Sequence, residues 1–383
     1  MRNKYANAAI VIGGNHINTL GTIRSLGEMG ITVYGIVSGY KHNFIEYSRY
    51  LKNFWVIPTI DKNIINICEK ILFNEKIKPV IFPCSDDAIF IIDKNINRLI
   101  NRFIFPNISN KEGKISYYMD KQNMVDCAKK TGLITPKTKT IVLSSPYNSL
   151  SEISFPCIIK PSTSNCGSKY DIEKIKSLTS LYKRLDYLKD KYDKMIIQEY
   201  IQSDDSIMLE IIGCTLSNGQ IYIPGILEKM RHYPNKDSSG SYFRISKNRF
   251  NLNYNLIRDY FLNIGYKGIF DIEFKYSDNK CYFIEVNFRN GGTNYLYTKS
   301  NANIPYIWFL DSINKLENQY IKDAKIGKFC MYEERDWKNI GTNISFIKWV
   351  SDLFKTDVFT TFNIMDIKPF FVRLINKVLL NRK

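Results

Sequence analysis

The segment from Gly268 to Gly292, GIFDIEFKYSDNKCYFIEVNFRNGG, restricts what this chain can fold into more than any other. Two runs alternate charged and apolar residues around a polar centre, the pattern of a β-hairpin with one apolar face. Asp271, Glu273 and Lys275 share a face of the first strand, with Phe270, Ile272 and Phe274 on the other. In the second strand Glu285, Asn287 and Arg289 share a face, opposed by Tyr282, Ile284, Val286 and Phe288. The two acidic faces coincide only if the connecting loop has an odd number of residues. A turn centred on Asn279 then sets Glu273 opposite Glu285. Facing carboxylates repel, so this surface asks for a cation. Mg²⁺ prefers carboxylates plus phosphate oxygens, Asn287 adds a neutral oxygen, and Arg289 is placed to fork onto a carboxylate or a phosphate. A solvated sheet surface would explain any one of these residues, but not all four in register.

The rest of the chain supplies two further kinds of region. AAIVIGG (8–14) reads as a buried parallel strand, followed by a helix over roughly 19–29 and strands at Ile31–Val37, Lys52–Ile57 and Pro79–Phe82. That alternation is a doubly wound α/β domain with binding loops at its strand ends. The first turn, GGNHINTLG, lacks the spacing of a dinucleotide fingerprint. From residue 116 onward come a helix stopped at Gly132, a short strand FPCIIKPS (155–162), a polar loop and a charged helix over about 173–190. A strand MIIQEYI (195–201) and alternating strands to about 230 follow, then a polar loop Arg231–Tyr242 and a helix from about 253. The end of the chain is an amphipathic basic tail, IKPFFVRLINKVLLNRK.

With 383 residues the chain is long enough for two or three domains. No run of about 18 apolar residues is present, which excludes a spanning helix. The opening residues lead straight into a strand, so a secretory signal is not expected and a cytoplasmic location is. The eight cysteines are scattered singly, with no C-x-x-C, and His16, His42 and His232 are the only histidines. Reduced thiols are expected, and a zinc or iron–sulfur site is not. A net charge of +17 fits an anionic substrate, a polyanionic acceptor or a membrane-surface acceptor. The lysines form no single block, so nucleic acid is not expected as a partner.

FIEVNFR resembles the metal-binding strand of the ATP-grasp superfamily, typified by biotin carboxylase, carbamoyl phosphate synthase and D-alanine–D-alanine ligase. The resemblance implies that Glu273, Glu285 and Asn287 hold Mg²⁺, two ions with Mn²⁺ as a substitute, beside ATP. It also implies that Arg289 assists the reacting phosphate or carboxylate. Other family elements follow in order. MDK (119–121) resembles a lysine-bearing helix entry, so Lys121 would reach a phosphate. FPCIIKPS resembles the strand whose lysine contacts the α and β phosphates, which puts that role on Lys160. The loop over 162–169 would be the lid, holding oxygens through Ser162, Ser164 and the backbone at Gly167, although it lacks the usual run of glycines. IIQEYI resembles the hinge strand that binds adenine, hence Glu199, Tyr200 and Ile201, with Asp205 for the ribose. LEKMRHYPNKDSSGSYF resembles D-aspartate ligase-like carboxylate–amine ligases, where Lys229 and Arg231 would neutralise charge as the amine displaces phosphate.

The resemblance covers roughly residues 1–310. It implies an ATP-grasp fold with a Rossmann-like N-terminal domain (1–115), an ATP-grasp domain (116–310) with a lid over about 135–200, and a C-terminal extension (311–383). The implied activity is that of an ADP-forming carboxylate–amine ligase that makes an amide through an acyl phosphate. Its partners would be a small-molecule carboxylate and an amine, one of them carried on a cell-wall precursor, surface glycan or lipid-linked precursor. A carboxylase, a biosynthetic ligase for a small metabolite, and a non-catalytic nucleotide-binding protein are the rivals, because the fold alone does not select the reaction.

Overall fold

The computed structural model describes residues 5–39, 43–71, 77–144, 150–163, 171–201, 206–234 and 238–380. The first sheet is parallel, in the order β3-β2-β1-β4, from β1 (Ala9–Gly14), β2 (Val33–Ser38), β3 (Leu51–Ile57) and β4 (Val80–Pro83). Ala9 to Ile12 in β1 are fully buried, as a strand covered on both faces must be, which explains its unbroken apolar run. The loops after β1 and β4 lead directly into the helices Ile17–Gly27 and Asp86–Asp93. The second of these is capped by Ser85, whose side chain accepts a hydrogen bond from the Ala88 N–H.

A small antiparallel sheet follows, in the order β5-β8-β6-β7, from β5 (Thr138–Val142), β6 (Cys157–Pro161), β7 (Glu173–Ile175) and β8 (Lys194–Glu199). It has its own core of Ile159, Leu181, Leu185 and Met195. The charged helix expected over 173–190 begins only at Leu178: Ser177 caps it, and the residues before it pair with β6 as a strand. Helix Lys121–Lys130, capped by Asp120, is tied to the end of β6, where the Lys121 N–H donates to the Ser162 carbonyl at 2.9 Å.

The largest sheet runs β13-β12-β9-β10-β11-β14-β15, from β9 (Ile207–Thr215), β10 (Ile226–His232), β11 (Gly240–Ser246), β12 (Ile269–Ser277), β13 (Lys280–Asn287), β14 (Phe329–Met331) and β15 (Val358–Phe359). Residues after 311 therefore complete this sheet, β14 pairing with β11 and β15 lying parallel to β14. They also reach back to the first sheet. Arg24, fully buried in helix Ile17–Gly27, donates to Asp366 Oδ2 at 2.9 Å and to the Thr361 and Asp366 carbonyls. One apolar core joins β1 and helix Ile17–Gly27 to Ile212 of β9 and to Tyr297 and Phe309.

Candidate active site

The β12–β13 hairpin pairs Glu273 with Glu285 and Asp271 with Asn287, the alignment expected from sequence. The route to it differs. The loop is not odd-numbered: Ser277 pairs with Lys280, and the two-residue turn Asp278-Asn279 has φ of 50° and 59°. Positive φ at both central residues is the type I′ geometry that suits right-twisted strands. A bulge after Glu273 supplies the missing residue, because Phe274 pairs with Phe283 and Ile284 is left over. The bulge also re-phases the strand. Phe283, not Tyr282 or Ile284, enters the core beside Phe274, while Glu285 and Asn287 keep to the polar face.

Glu210 of β9 lies opposite Glu273, so three glutamates form one row across the sheet: Glu285, Glu273 and Glu210. Beside them Asp271 is buried, with Oδ1 lacking any hydrogen-bond partner among the described residues. Burial pushes the Asp271 carboxyl well above the carboxylate range, reinforced by Glu210 and Glu273. Glu210 is raised too, chiefly by burial. Its Oε1 accepts from the Thr293 hydroxyl at 2.6 Å, and Gly291 passes so close that a Cβ there would sit 3.0 Å from the same oxygen. The Ile212 side chain would lie closer still, at 2.5 Å, so position 291 has no room for a side chain.

Cations answer this row from several elements. Lys229 of β10 is ion-paired to Glu273 at 2.8 Å; burial lowers its pKa, but Glu273 and Glu210 outweigh that and hold it raised. Arg289 donates to Asp86 at 2.7 Å and to Asn287 Oδ1 at 3.2 Å. Lys160, at the end of β6, is buried and donates to Gln198 at 3.0 Å. Burial pulls its ammonium down to about 8, with Glu285 opposing the shift. Burial also lowers Lys121, again against Glu285. The field of Glu285 thus acts on Lys121, Lys160 and Arg289 together.

All of these groups line one cleft of about 650 Å³, closed on its far side by His16, Asn18, Ser85 and Asp86 from the strand ends of the first sheet. Burial, then Arg289, lowers His16 to about 4, so its imidazole is neutral at pH 7. Among the described residues no three His, Cys, Asp or Glu groups converge tightly enough to hold a metal alone. Two carboxylates and an amide that leave further positions to phosphate oxygens remain the donor set Mg²⁺ accepts, and the orphaned Asp271 oxygen fits a site completed by a ligand.

Of the residues singled out from sequence, Lys121, Lys160, Lys229, Glu273, Glu285, Asn287 and Arg289 share this cleft. Ser162 lies between its lining residues Pro161 and Thr163. Glu199, Tyr200 and Ile201 do not line it: Glu199 accepts from the Lys137 N–H, and Lys174 and Lys275 stack on the Tyr200 ring. Ser164, Gly167 and Asp205 lie outside the described residues. Arg231 requires correction. It is on β10 rather than in a loop facing substrate, and its guanidinium is consumed by Asp336 at 2.7 Å and Asp352 at 2.5 Å. Besides Arg289, the arginine that lines the cleft is Arg335, which carries no ion pair among the described residues and donates to the Gly240 carbonyl. Glu210, Asp86 and His16 were not singled out either; a lone glutamate inside the apolar run IMLEIIGCT was the one available signal.

No protein-family model matches the chain. It is 23% identical over 317 residues to a D-aspartate ligase of Enterococcus faecium, covering 77% of this chain and 74% of that one. It is 24% identical over 268 residues to the carbamoyl phosphate synthase large chain of Clostridium perfringens, a match that spans 22% of that protein. Among solved structures, an ADP complex of N5-carboxyaminoimidazole ribonucleotide synthetase superposes with a TM-score of 0.64 at 12% identity, over 86% of this chain and 82% of that one. The chain has the ATP-grasp fold. An L-amino acid ligase from Bacillus licheniformis, at 13% identity, gives a TM-score of 0.65 over 85% of this chain and 79% of that one. Both the small β5–β8 sheet and the large sheet line the cleft, Lys160 coming from the first and Glu273 and Glu285 from the second.

Proposed function

We propose that this ATP-grasp protein is a ligase that spends ATP to join a carboxylate to an amine, releasing ADP and phosphate. The observation that carries the reading is that Lys121, Lys160 and Arg289 line one cleft with Glu285, Glu273 and Asn287, walled by the first sheet. Lys160 and Lys121 would hold phosphate oxygens, and Glu273, Glu285 and Asn287 would hold Mg²⁺. When bound there, Mg²⁺ would offset the negative charge of the transferring phosphate. Lys229, tied to Glu273, fixes that carboxylate in place. Arg289, anchored by Asp86, faces the charge that grows during transfer. Arg335, which lines the cleft and has no carboxylate partner among the described residues, would meet a substrate carboxylate, since Arg231 is already saturated.

In the first step a carboxylate oxygen attacks the γ-phosphorus, the bond to the bridging oxygen breaks, and ADP leaves. In the second the amine nitrogen attacks the acyl carbon, the acyl C–O bond breaks, and the amine proton leaves with the phosphate. The net charge of +17 supports an anionic acceptor such as a glycan or a lipid-linked precursor. A screen of amino acids, amines and bicarbonate for ADP release tests the reading. ADP formation that needs both a carboxylate and an amine is expected; formation with bicarbonate alone would make the protein a carboxylase, and none with any pair would end the ligase reading.

A further inference from the structure

The helix Phe346–Lys355 is built inside out. Asp352 is its one buried residue, held by Arg231 and by Lys348 at 2.5 Å, whereas Ile347 and Phe354, seven residues apart on the opposite face, are 82% and 84% exposed. An amphipathic helix of a globular protein turns the other way. The same inversion recurs nearby: Asp366 is buried on Arg24 while Ile364 and Met365 are 78% and 58% exposed. Trp337, 58% exposed, packs edge-on against Trp349 of the inverted helix. Large apolar side chains gathered outward in this way mark a surface that is covered in use.

Charge selects what covers it. After Trp337 the chain has eight lysines and arginines and three acidic residues, Asp352, Asp357 and Asp366; of the cations, Lys348 pairs with Asp352, and Arg373 and Lys377 pair with Glu334. All three acids are engaged, Asp357 by Lys328 at 2.6 Å. Lys355 and Lys368 are exposed, with no ion pair among the described residues. Two such basic faces would repel each other, which disfavours a second copy of the chain. We propose that helix Phe346–Lys355 and its neighbours dock this protein on an anionic lipid surface, with Ile347 and Phe354 entering the acyl boundary and the lysines meeting headgroups. No helix among the described residues is long and apolar enough to cross a membrane, so this attachment would be peripheral. It is independent of the reaction proposed for the cleft.

Flotation of the full chain with vesicles of phosphatidylglycerol and phosphatidylcholine, against vesicles of phosphatidylcholine alone, tests it. Binding to the anionic vesicles only, weakened at high salt and reduced at least tenfold in an Ile347→Gln/Phe354→Gln variant with unchanged far-UV spectrum and nucleotide binding, is expected. Equal flotation of variant and parent, or no flotation of either, would overturn it. So would light scattering that shows a dimer dissociated by the same double substitution, because the face would then belong to a second copy.

Discussion

The polar row at the β12–β13 hairpin and the joint around Arg231 are both buried clusters of carboxylates and arginines, yet they are put together in opposite ways. At the joint every charge has its partner: Arg231 bonds Asp336 and Asp352, and Ser241 and Asn339 complete Asp336. At the hairpin Glu285, Glu273 and Glu210 stand in a row beside Asp271, whose Oδ1 has no hydrogen-bond partner among the described residues. A saturated cluster holds a fold together and has no capacity left for a ligand. An incomplete one costs stability and persists where a ligand completes it. Arginine in a basic stretch is therefore no guide to chemistry until its partners are counted.

The sharpest way to break this contrast is Glu285→Gln. It should lower the rate of ADP formation by roughly 10²–10³, the scale on which removal of one preorganised charged group acts. The melting temperature should stay level or rise, because one like charge is relieved. Loss of fold instead would put Glu285 in the structural class.

Arg231→Ala should do the converse. Asp336 left buried without a cation, with Asp352 left to Lys348 alone, is expected to cost about 3–5 kcal/mol in urea denaturation. Substrate constants should stay near the parent values wherever the protein remains folded. An intact denaturation midpoint with a raised constant for carboxylate or amine would return Arg231 to the site.

The pH dependence of Lys160 is a smaller effect with a defined sign. Burial holds its folded pKa at about 8, below the ordinary lysine value of 10.5, so the unfolded chain binds more protons between those values. Stability should therefore rise with pH across that window. Free-enzyme affinity for ATP should fall as pH passes 8 and the ammonium is lost. Lys160→Arg should flatten both trends, as seen by calorimetric titration and denaturation at pH 7 and pH 9. Smallest of all is Asp271→Asn: burial already favours the neutral carboxyl, so a change within about 1 kcal/mol is expected.

Why the hairpin could be read and the joint could not is a matter of sequence distance. Glu273 and Glu285 are separated by a single turn, and alternation alone puts each on a face. The bulge at Ile284 was invisible because it changes no composition, only phase, and it compensates an even turn so that the pairing is the same. The partners of Arg231 are 105 and 121 residues away, and Arg289 meets Asp86 across 203. No local pattern carries such pairs. The parallel strands of the first sheet were legible as unbroken apolar runs, but the return of residues after 311 to complete the large sheet was not, since β14 and β15 are only three and two residues long.

Transfer of labelled oxygen tests the proposed chemistry most directly. With a carboxylate identified by the ADP screen and enriched in ¹⁸O, turnover with the amine should place one ¹⁸O in the released phosphate, and Glu285→Gln should slow that transfer in step with ADP formation. Phosphate released without label, at a rate matching amide formation, would mean that no acyl phosphate forms and that the cleft around Glu285 does other chemistry.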